Sequence, residues 1–244
     1  MTRTRALLAG FILLPLALWT TGPFMLTGYW QSWPSVHNER VVALTFDDGP
    51  NPVYTPQVLE ILKSYDAKAT FFVTGASVAK HPDIARQMVA QGHEIGDHSE
   101  HHQYKLPFLL PSQVRRDYRG TQDAIYNATG VMPVLYRAPH GRISPWMGLA
   151  LRHEGANIIG WDVSAGDWHS SAAGVLVQRV SDRVRPGSII LLHDGLNLDD
   201  RANRDVVVQA LPGIIGQLRH RGYRFTTVSE LLNTGRHQFV VASE

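Results

Sequence analysis

The run Thr45-Phe-Asp-Asp-Gly-Pro50 ends an apolar stretch with two adjacent carboxylates and a turn. Neighbouring carboxylates repel one another unless a cation or an arginine lies between them. A metal held by one Asp would lower its pKa and leave the other free as a base. The same run also suits an Asx-type turn, because Asp, Gly and Pro favour turns for local reasons. His98-Ser-Glu-His-His102 supplies imidazoles four residues apart, with His101 between them expected to face elsewhere. Neutral imidazole is the commonest metal-binding side chain, although the isolated pair also suits a polar, solvated loop. With no Cys in the chain, any metal must be held by His, Asp or Glu. Asp48, His98 and His102 together form a three-ligand set with open positions for water and substrate, as a catalytic zinc requires.

Arg137-Ala-Pro-His-Gly141 contributes a permanent cation. Its chemical role would be to hold Asp47 ionised and oriented; its plain structural role is a surface ion pair. Gly141, after His140, suggests a backbone that approaches a ligand closely, and an N–H there suits an oxyanion. Trp161-Asp-Val-Ser-Ala-Gly-Asp-Trp168 mixes two indoles with two acids. Indole faces suit the apolar side of a sugar ring, yet core packing serves Trp168 equally well and Trp161 better. In Ile189-Ile-Leu-Leu-His193, Leu191 shares a face with His193 because strand side chains repeat every two residues. A lone His at a strand end is more often structural, but a small apolar pocket beside a general acid would suit a methyl-bearing acyl group.

Seven short β-branched runs must gather these residues: Val41–Phe46, Ala69–Thr74, His93–Asp97, Val134–Arg137, Asn157–Val163, Ser188–Leu192 and Tyr223–Val228. Helical stretches alternate with them. Gly92, Gly130, Gly155 and Gly222 sit where C′ glycines are needed, and Thr55-Pro56 and Ser144-Pro145 read as an N-cap followed by proline at the first helical position. The alternation predicts a parallel sheet covered by helices, open or closed into a barrel. Asp47, Asp48, Asp97, His98, Arg137, Asp162, Asp167 and His193 all fall at or just after C-terminal strand ends, where such folds carry their chemistry.

Composition narrows the function classes. The 244 residues carry 23 Lys plus Arg against 21 Asp plus Glu, and Arg3 and Arg5 are the only charges before Glu39. Without those two the remainder is neutral, so no electrostatic case exists for nucleic acid. Residues 1–30 read as a membrane anchor or signal segment: two arginines precede the charge-free run Ala6–Trp19, and apolar character resumes at Phe24-Met25-Leu26. Ala6–Leu26 is just long enough to cross a bilayer, and Trp19, Tyr29, Trp30 and Trp33 suit an interface belt. The expectation is an exported protein, anchored and facing the periplasm or cell exterior, or secreted if the segment is cleaved. No protein partner is inferred.

Taken in order, these segments resemble the polysaccharide deacetylases, the NodB-homology or carbohydrate esterase family 4 enzymes, over roughly Val41 to Val228. The resemblance implies an α/β fold, a distorted (β/α) barrel of about seven parallel strands, here preceded by an N-terminal hydrophobic helix, with residues 39–244 as the catalytic domain. It implies one divalent metal on Asp48, His98 and His102, zinc first, with cobalt, nickel or manganese as alternatives. It further implies Asp47 as base, His193 as acid, Arg137 orienting Asp47, Asp167 near the His193 network, and Trp168 and Leu191 lining an acetyl pocket. The chain departs from the family in having His140 where an aromatic residue is common, which alters the substrate wall formed with Gly141. The implied reaction removes N-acetyl groups from an N-acetylglucosamine-containing glycan, peptidoglycan or chitooligosaccharide-like, and releases acetate. The alternatives are an O-acetyl esterase, a non-catalytic carbohydrate-binding relative, or a relative acting on lipid-linked sugars. A non-catalytic relative would lack an acid, base or ligand, and here the set is complete.

Overall fold

The computed structural model describes residues 39–169, 172–232 and 239–240. The apolar segment Ala6–Leu26 and the expected N-terminal helix lie outside them. Among the described residues no helix is long and apolar enough to cross a membrane. In chain order the first elements are β1 (Val41–Asp47), α1 (Tyr54–Ser64), β2 (Ala69–Val73), α2 (Gly75–Lys80), α3 (Pro82–Ala90) and β3 (Glu94–Asp97). Then come α4 (Pro111–Thr129), β4 (Val131–Met132), β5 (Leu135–Tyr136), α5 (Pro145–His153), β6 (Asn157–Ile158) and β7 (Val163–Ser164). The last are α6 (Ala173–Arg183), β8 (Ile189–His193), α7 (Asp205–His220), β9 (Arg224–Thr226), α8 (Val228–Leu231) and β10 (Phe239–Val240).

The main sheet runs β6-β5-β3-β2-β1-β8-β7, with every neighbouring pair parallel. β9 pairs with Val41–Ala43, below the point at which β2 takes up β1. The sheet curls into a half-barrel, the distorted (β/α) barrel that the family resemblance implies. β4 and β10 form a separate antiparallel pair.

Period-two geometry sorts each strand into a helix-facing and an inward-facing set. In β1, Val42, Leu44 and Phe46 pack with Val58, Leu59 and Leu62 of α1 and with Val207, Leu211 and Ile214 of α7. Val41 and Ala43 join a separate cluster with Phe72, Leu135 and Ile159. Thr45 and Asp47 share the parity of Ala43, so the inward face of β1 ends on a carboxylate. In β8, Ile190 and Leu192 belong to the helix-facing core, leaving Leu191 and His193 inward. The register pairs Thr45 with Leu191 and Asp47 with His193, so the two ionisable ends stand level on adjacent strands.

Two expectations are corrected. The run Asn157–Val163 is not one strand. Asn157–Ile158 pairs with β5 on one edge of the sheet, and Val163–Ser164 pairs with β8 at the other. The intervening residues cross the open side of the half-barrel, and the Asp162 carboxylate then accepts the amide of Ile189 at 2.7 Å and the hydroxyl of Ser188 at 2.9 Å. Asp162 is thereby fixed at the N-terminal end of β8, the opposite end from His193. Thr55 is also not an N-cap, because α1 begins one residue earlier. Its hydroxyl accepts the Asn51 amide, while Asn51 Oδ1 accepts the amides of Val53 and Tyr54. Ser144 does cap α5, accepting the Met147 amide with Pro145 at the first helical position, and Gly92, Gly130, Gly155 and Gly222 all take left-handed backbone.

Candidate active site

Asp47 and Asp48 are adjacent but serve different partners, because the backbone turns left-handed at Asp48, with φ of 75°. Asp48 Oδ1 lies 3.3 Å from His98 Nε2 and 3.1 Å from His102 Nε2. The Asp48 Oδ2 accepts the Asn197 amide at 3.3 Å. One ligand atom from each of Asp48, His98 and His102 lies within 4.8 Å of the others.

The imidazoles are held by their surroundings. His98 Nδ1 is 2.8 Å from the Arg137 carbonyl oxygen, which can only accept, so Nδ1 carries the hydrogen. In the neutral ring Nε2 then presents its lone pair to a carboxylate oxygen. The loop that carries His102 is pinned at Ser99, whose amide donates to Asp97 Oδ1 at 2.8 Å and whose hydroxyl accepts the His102 amide at 3.0 Å. Burial pushes the His102 ring down to about 4, against the pull of Asp48, so it offers a neutral nitrogen at neutral pH. Burial alone would raise the Asp48 carboxyl, but the adjoining imidazoles of His98 and His102, with His193 beyond them, outweigh it and hold it well below the usual carboxylate range. Asp48 Oδ1 is buried without a hydrogen-bond partner. An anionic oxygen facing imidazole nitrogens, one of them a lone pair by its hydrogen-bond pattern, is a donor set that fits a divalent cation.

Asp47 faces a different cation. Arg137 is fully buried, which rules out the surface ion pair as its role. Its Nη1 donates to Asp47 Oδ1 and to Thr45 Oγ1, each at 2.7 Å, and its Nη2 donates to the Gly160 carbonyl at 3.0 Å. The guanidinium carbon sits 4.0 Å over the Phe72 ring. Thr45 and Asp47 are successive inward residues of β1, so one guanidinium spans both. Asp47 Oδ2 lies 3.7 Å from His98 Nε2, which places the base candidate against the cation-binding group. A carboxylate fixed in this way is placed to accept a proton.

Across the rim, the Asp167 carboxylate accepts the His193 backbone amide at 2.9 Å and lies 3.1 and 3.2 Å from its Nδ1. Burial would lower the His193 ring, but the charge and hydrogen bond of Asp167, with Asp48 and Asp47 adding, push it up to about 9. A proton on this ring at neutral pH is available to a leaving group. Trp168 is exposed and stands edge-on to His193 at 5.5 Å between centroids. Leu191 is buried on the same inward face as His193.

His140 takes a left-handed backbone, with φ of 56°, and its ring lies 4.5 Å from that of His102 and 4.6 Å from Tyr104. A Cβ on Gly141 would lie 2.8 Å from the Trp161 ring. Its amide donates to the Ala138 carbonyl within the turn. Glycine here therefore makes room for an indole, and its N–H is already committed. An apolar cavity of about 110 Å³, lined by Ile143, Leu149, Ile158, Ile159 and Trp161, touches the cluster only through Arg137 and Gly141. Asp97 points away from the rim and accepts from Gln122 of α4 at 3.1 Å, as its shared parity with the core residue Ile95 requires. His101 is exposed, as expected.

The sequence reading missed Asp194. Fully buried beneath the Asp48-Gly49 turn, it accepts the Thr55 hydroxyl, and burial pushes it up to about 7, opposed by that hydrogen bond. The neighbouring Gly195 has no room for a side chain: a Cβ would lie 2.6 Å from the Asp48 carbonyl oxygen and 2.9 Å from the Gly49 nitrogen. These are backbone atoms that cannot rotate away. Gly195→Ala is expected to cost about 1–3 kcal/mol, read as a lower urea midpoint at unchanged slope. An unshifted midpoint would show that the turn has slack.

Residues 35–158 match the sequence profile of the family described as polysaccharide deacetylase. The chain is 36% identical over 208 residues to a peptidoglycan-N-acetylglucosamine deacetylase of Bacillus cereus, covering 84% of this chain and 94% of that one. It is 35% identical to a chitooligosaccharide deacetylase of Bradyrhizobium sp., covering 82% and 94%. Among solved structures, a peptidoglycan N-acetylglucosamine deacetylase in complex with 4-naphthalen-1-yl-N-oxidanyl-benzamide superposes with a TM-score of 0.74 at 32% identity, covering 80% of this chain and 88% of that one.

Proposed function

The chain belongs to the polysaccharide deacetylase family, and from that membership we propose that it hydrolyses the acetamido group of N-acetylglucosamine units in a glycan, releasing acetate and leaving an amine. The relatives it resembles are named for peptidoglycan and chitooligosaccharide substrates. The observation that carries the reading is the placement of Asp47 between a buried arginine and the Asp48, His98 and His102 donor set, level with His193 on the next strand.

Asp48, His98 and His102 are the residues that would hold a divalent ion, zinc first. Such an ion would supply Lewis-acid polarisation of the carbonyl oxygen and acidify a water. Asp47 accepts a proton from the attacking water as the water oxygen bonds to the acetamide carbon, and Arg137 holds the Asp47 carboxylate aimed. The backbone N–H at His140, one residue before the committed Gly141 amide, is the candidate donor to the developing oxyanion. His193 then gives its proton to the departing nitrogen as the carbon–nitrogen bond breaks, since an amine leaves poorly as an anion. Leu191 and Trp168 bound the space for the acetyl methyl. Residues 39–244 act as the catalytic domain, and residues 1–30 direct export, which suits a peptidoglycan substrate.

Free acetate, quantified after incubation with acetylated chitooligosaccharide and with peptidoglycan, tests this reading. Release that chelator abolishes is expected; no release from any acetylated glycan would refute it. The rate must also fall on both sides of a pH optimum, because Asp47 has to be ionised while His193 is protonated. His193 stands at about 9 before any cation is bound, and a nearby cation lowers it, so the alkaline decline is expected at or below pH 9. A rate still rising at pH 10 would remove His193 as the acid.

A further inference from the structure

We propose that Arg204, just before α7, is a positioning residue for the Asp167–His193 pair. It supplies a buried positive charge that stabilises the Asp167 carboxylate when His193 gives up its proton. The inference rests on the hydrolytic reading above and adds a residue to it.

The Asp167 side chain is fully buried, and Arg204 is buried beside it, with Nη1 3.9 Å from Asp167 Oδ2. Among the described residues Asp167 is the carboxylate within ion-pair distance of this guanidinium. The adjacent Asp205 is turned elsewhere, hydrogen-bonded to Tyr54 and to the Asn203 amide group. The Nε of Arg204 is buried without a hydrogen-bond partner, so the side chain is placed there at a cost that the carboxylate must offset. At 3.9 Å the contact is an ion pair rather than a hydrogen bond, and Arg204 acts on Asp167 through its field.

That field matters at one moment. While His193 is protonated, Asp167 has a cation in contact. Once the proton passes to the leaving nitrogen, Asp167, itself fully buried, faces a neutral ring. A buried carboxylate in that state draws a proton back unless another cation compensates it. Arg204 does so without touching the ring, as Arg137 does for Asp47. The two carboxylates that orient and receive protons at this rim thus each have a buried arginine of their own. The backbone contribution of Arg204, whose carbonyl accepts from Val207 and Val208 at the start of α7, survives any side-chain substitution.

The test compares an acetylated chitooligosaccharide, whose amine must be protonated to leave, with 4-nitrophenyl acetate, whose phenolate leaves unaided. A positioned general acid contributes about 10²–10⁴-fold. Arg204→Gln is expected to forfeit about 10-fold of that in kcat on the amide, with KM unchanged and the ester rate within about twofold. Arg204→Lys, which keeps the charge, should recover most of the amide rate and provides a second folded variant. Equal losses on both substrates, or an undiminished amide rate in Arg204→Gln, would overturn the positioning role alone. An unmodified protein that releases no acetate from the amide would overturn the hydrolytic reading, and this inference with it.

Discussion

Asp47→Asn is expected to lower acetate release from an acetylated glycan by about 10²–10⁴-fold, the contribution of a positioned general base, while the protein still binds its metal. The substitution is isosteric and keeps a carbonyl oxygen for the Arg137 Nη1, now 2.7 Å from Asp47 Oδ1. What it removes is the charge. Asp48, His98 and His102 keep their mutual geometry, because Asp48 is anchored by the Asn197 amide and His98 by the Arg137 carbonyl, neither of which involves the Asp47 side chain. Metal content by elemental analysis should therefore stay near the unmodified value. Arg137 loses its counter-ion in a fully buried position, so some stability is lost with the charge, about 1–3 kcal/mol, and the kinetic comparison belongs well below the melting transition. Normal turnover by Asp47→Asn would remove Asp47 as the base. Parallel loss of metal would move it into the ligand set.

The sequence made the inward ends of β1 and β8 legible because parity is local: counting by two from Ala43 reaches Asp47, and from Leu191 reaches His193. It also exposed the His98 and His102 pair, since both lie within one loop. What it could not show was whatever depends on pairing across the sheet. The run Asn157–Val163 has the composition of one strand, yet its two ends hydrogen-bond to opposite edges of the half-barrel. Asp162 lies near the end of that run and Asp167 just beyond it, but the crossing sends the first to the start of β8 and the second to its end. For Arg137 the sequence alone favoured a surface ion pair; complete burial against Phe72 and Thr45 overturns that, and both partners come from strands far away in the chain. Asp194 and Arg204 escaped notice for the same reason, having no local pattern to mark them. Gly141 was legible as a special position, but that a Cβ there would meet the Trp161 ring depends on a residue twenty positions on.

The same distinction between local and long-range control governs the metal. Asp48→Ala is expected to remove bound metal and turnover together, with activity down at least about 10³-fold, since several kcal/mol of charge stabilisation go with the ion. The reason lies in the donor set. Asp48 contributes its anionic oxygen, and its Oδ1 is the atom toward which both Nε2 nitrogens point, at 3.3 and 3.1 Å. Without it two imidazoles remain, with no charge to offset the dehydration of a divalent cation. His102, already held to about 4 by burial with Asp48 pulling the other way, loses that pull and stays neutral, so its ring does not become cationic and block the site by repulsion. The fold should tolerate the change: the Asn197 amide is left to find water, while the turn itself is held by backbone contacts to residues 194 and 195 from the Asp47 carbonyl. Elemental analysis, acetate release and a thermal melt on the same preparation separate the outcomes. Metal and activity lost from a folded protein is the expected result. A folded Asp48→Ala protein that retains stoichiometric metal would show that the ion, if it binds here, is not held by the three residues assigned to it.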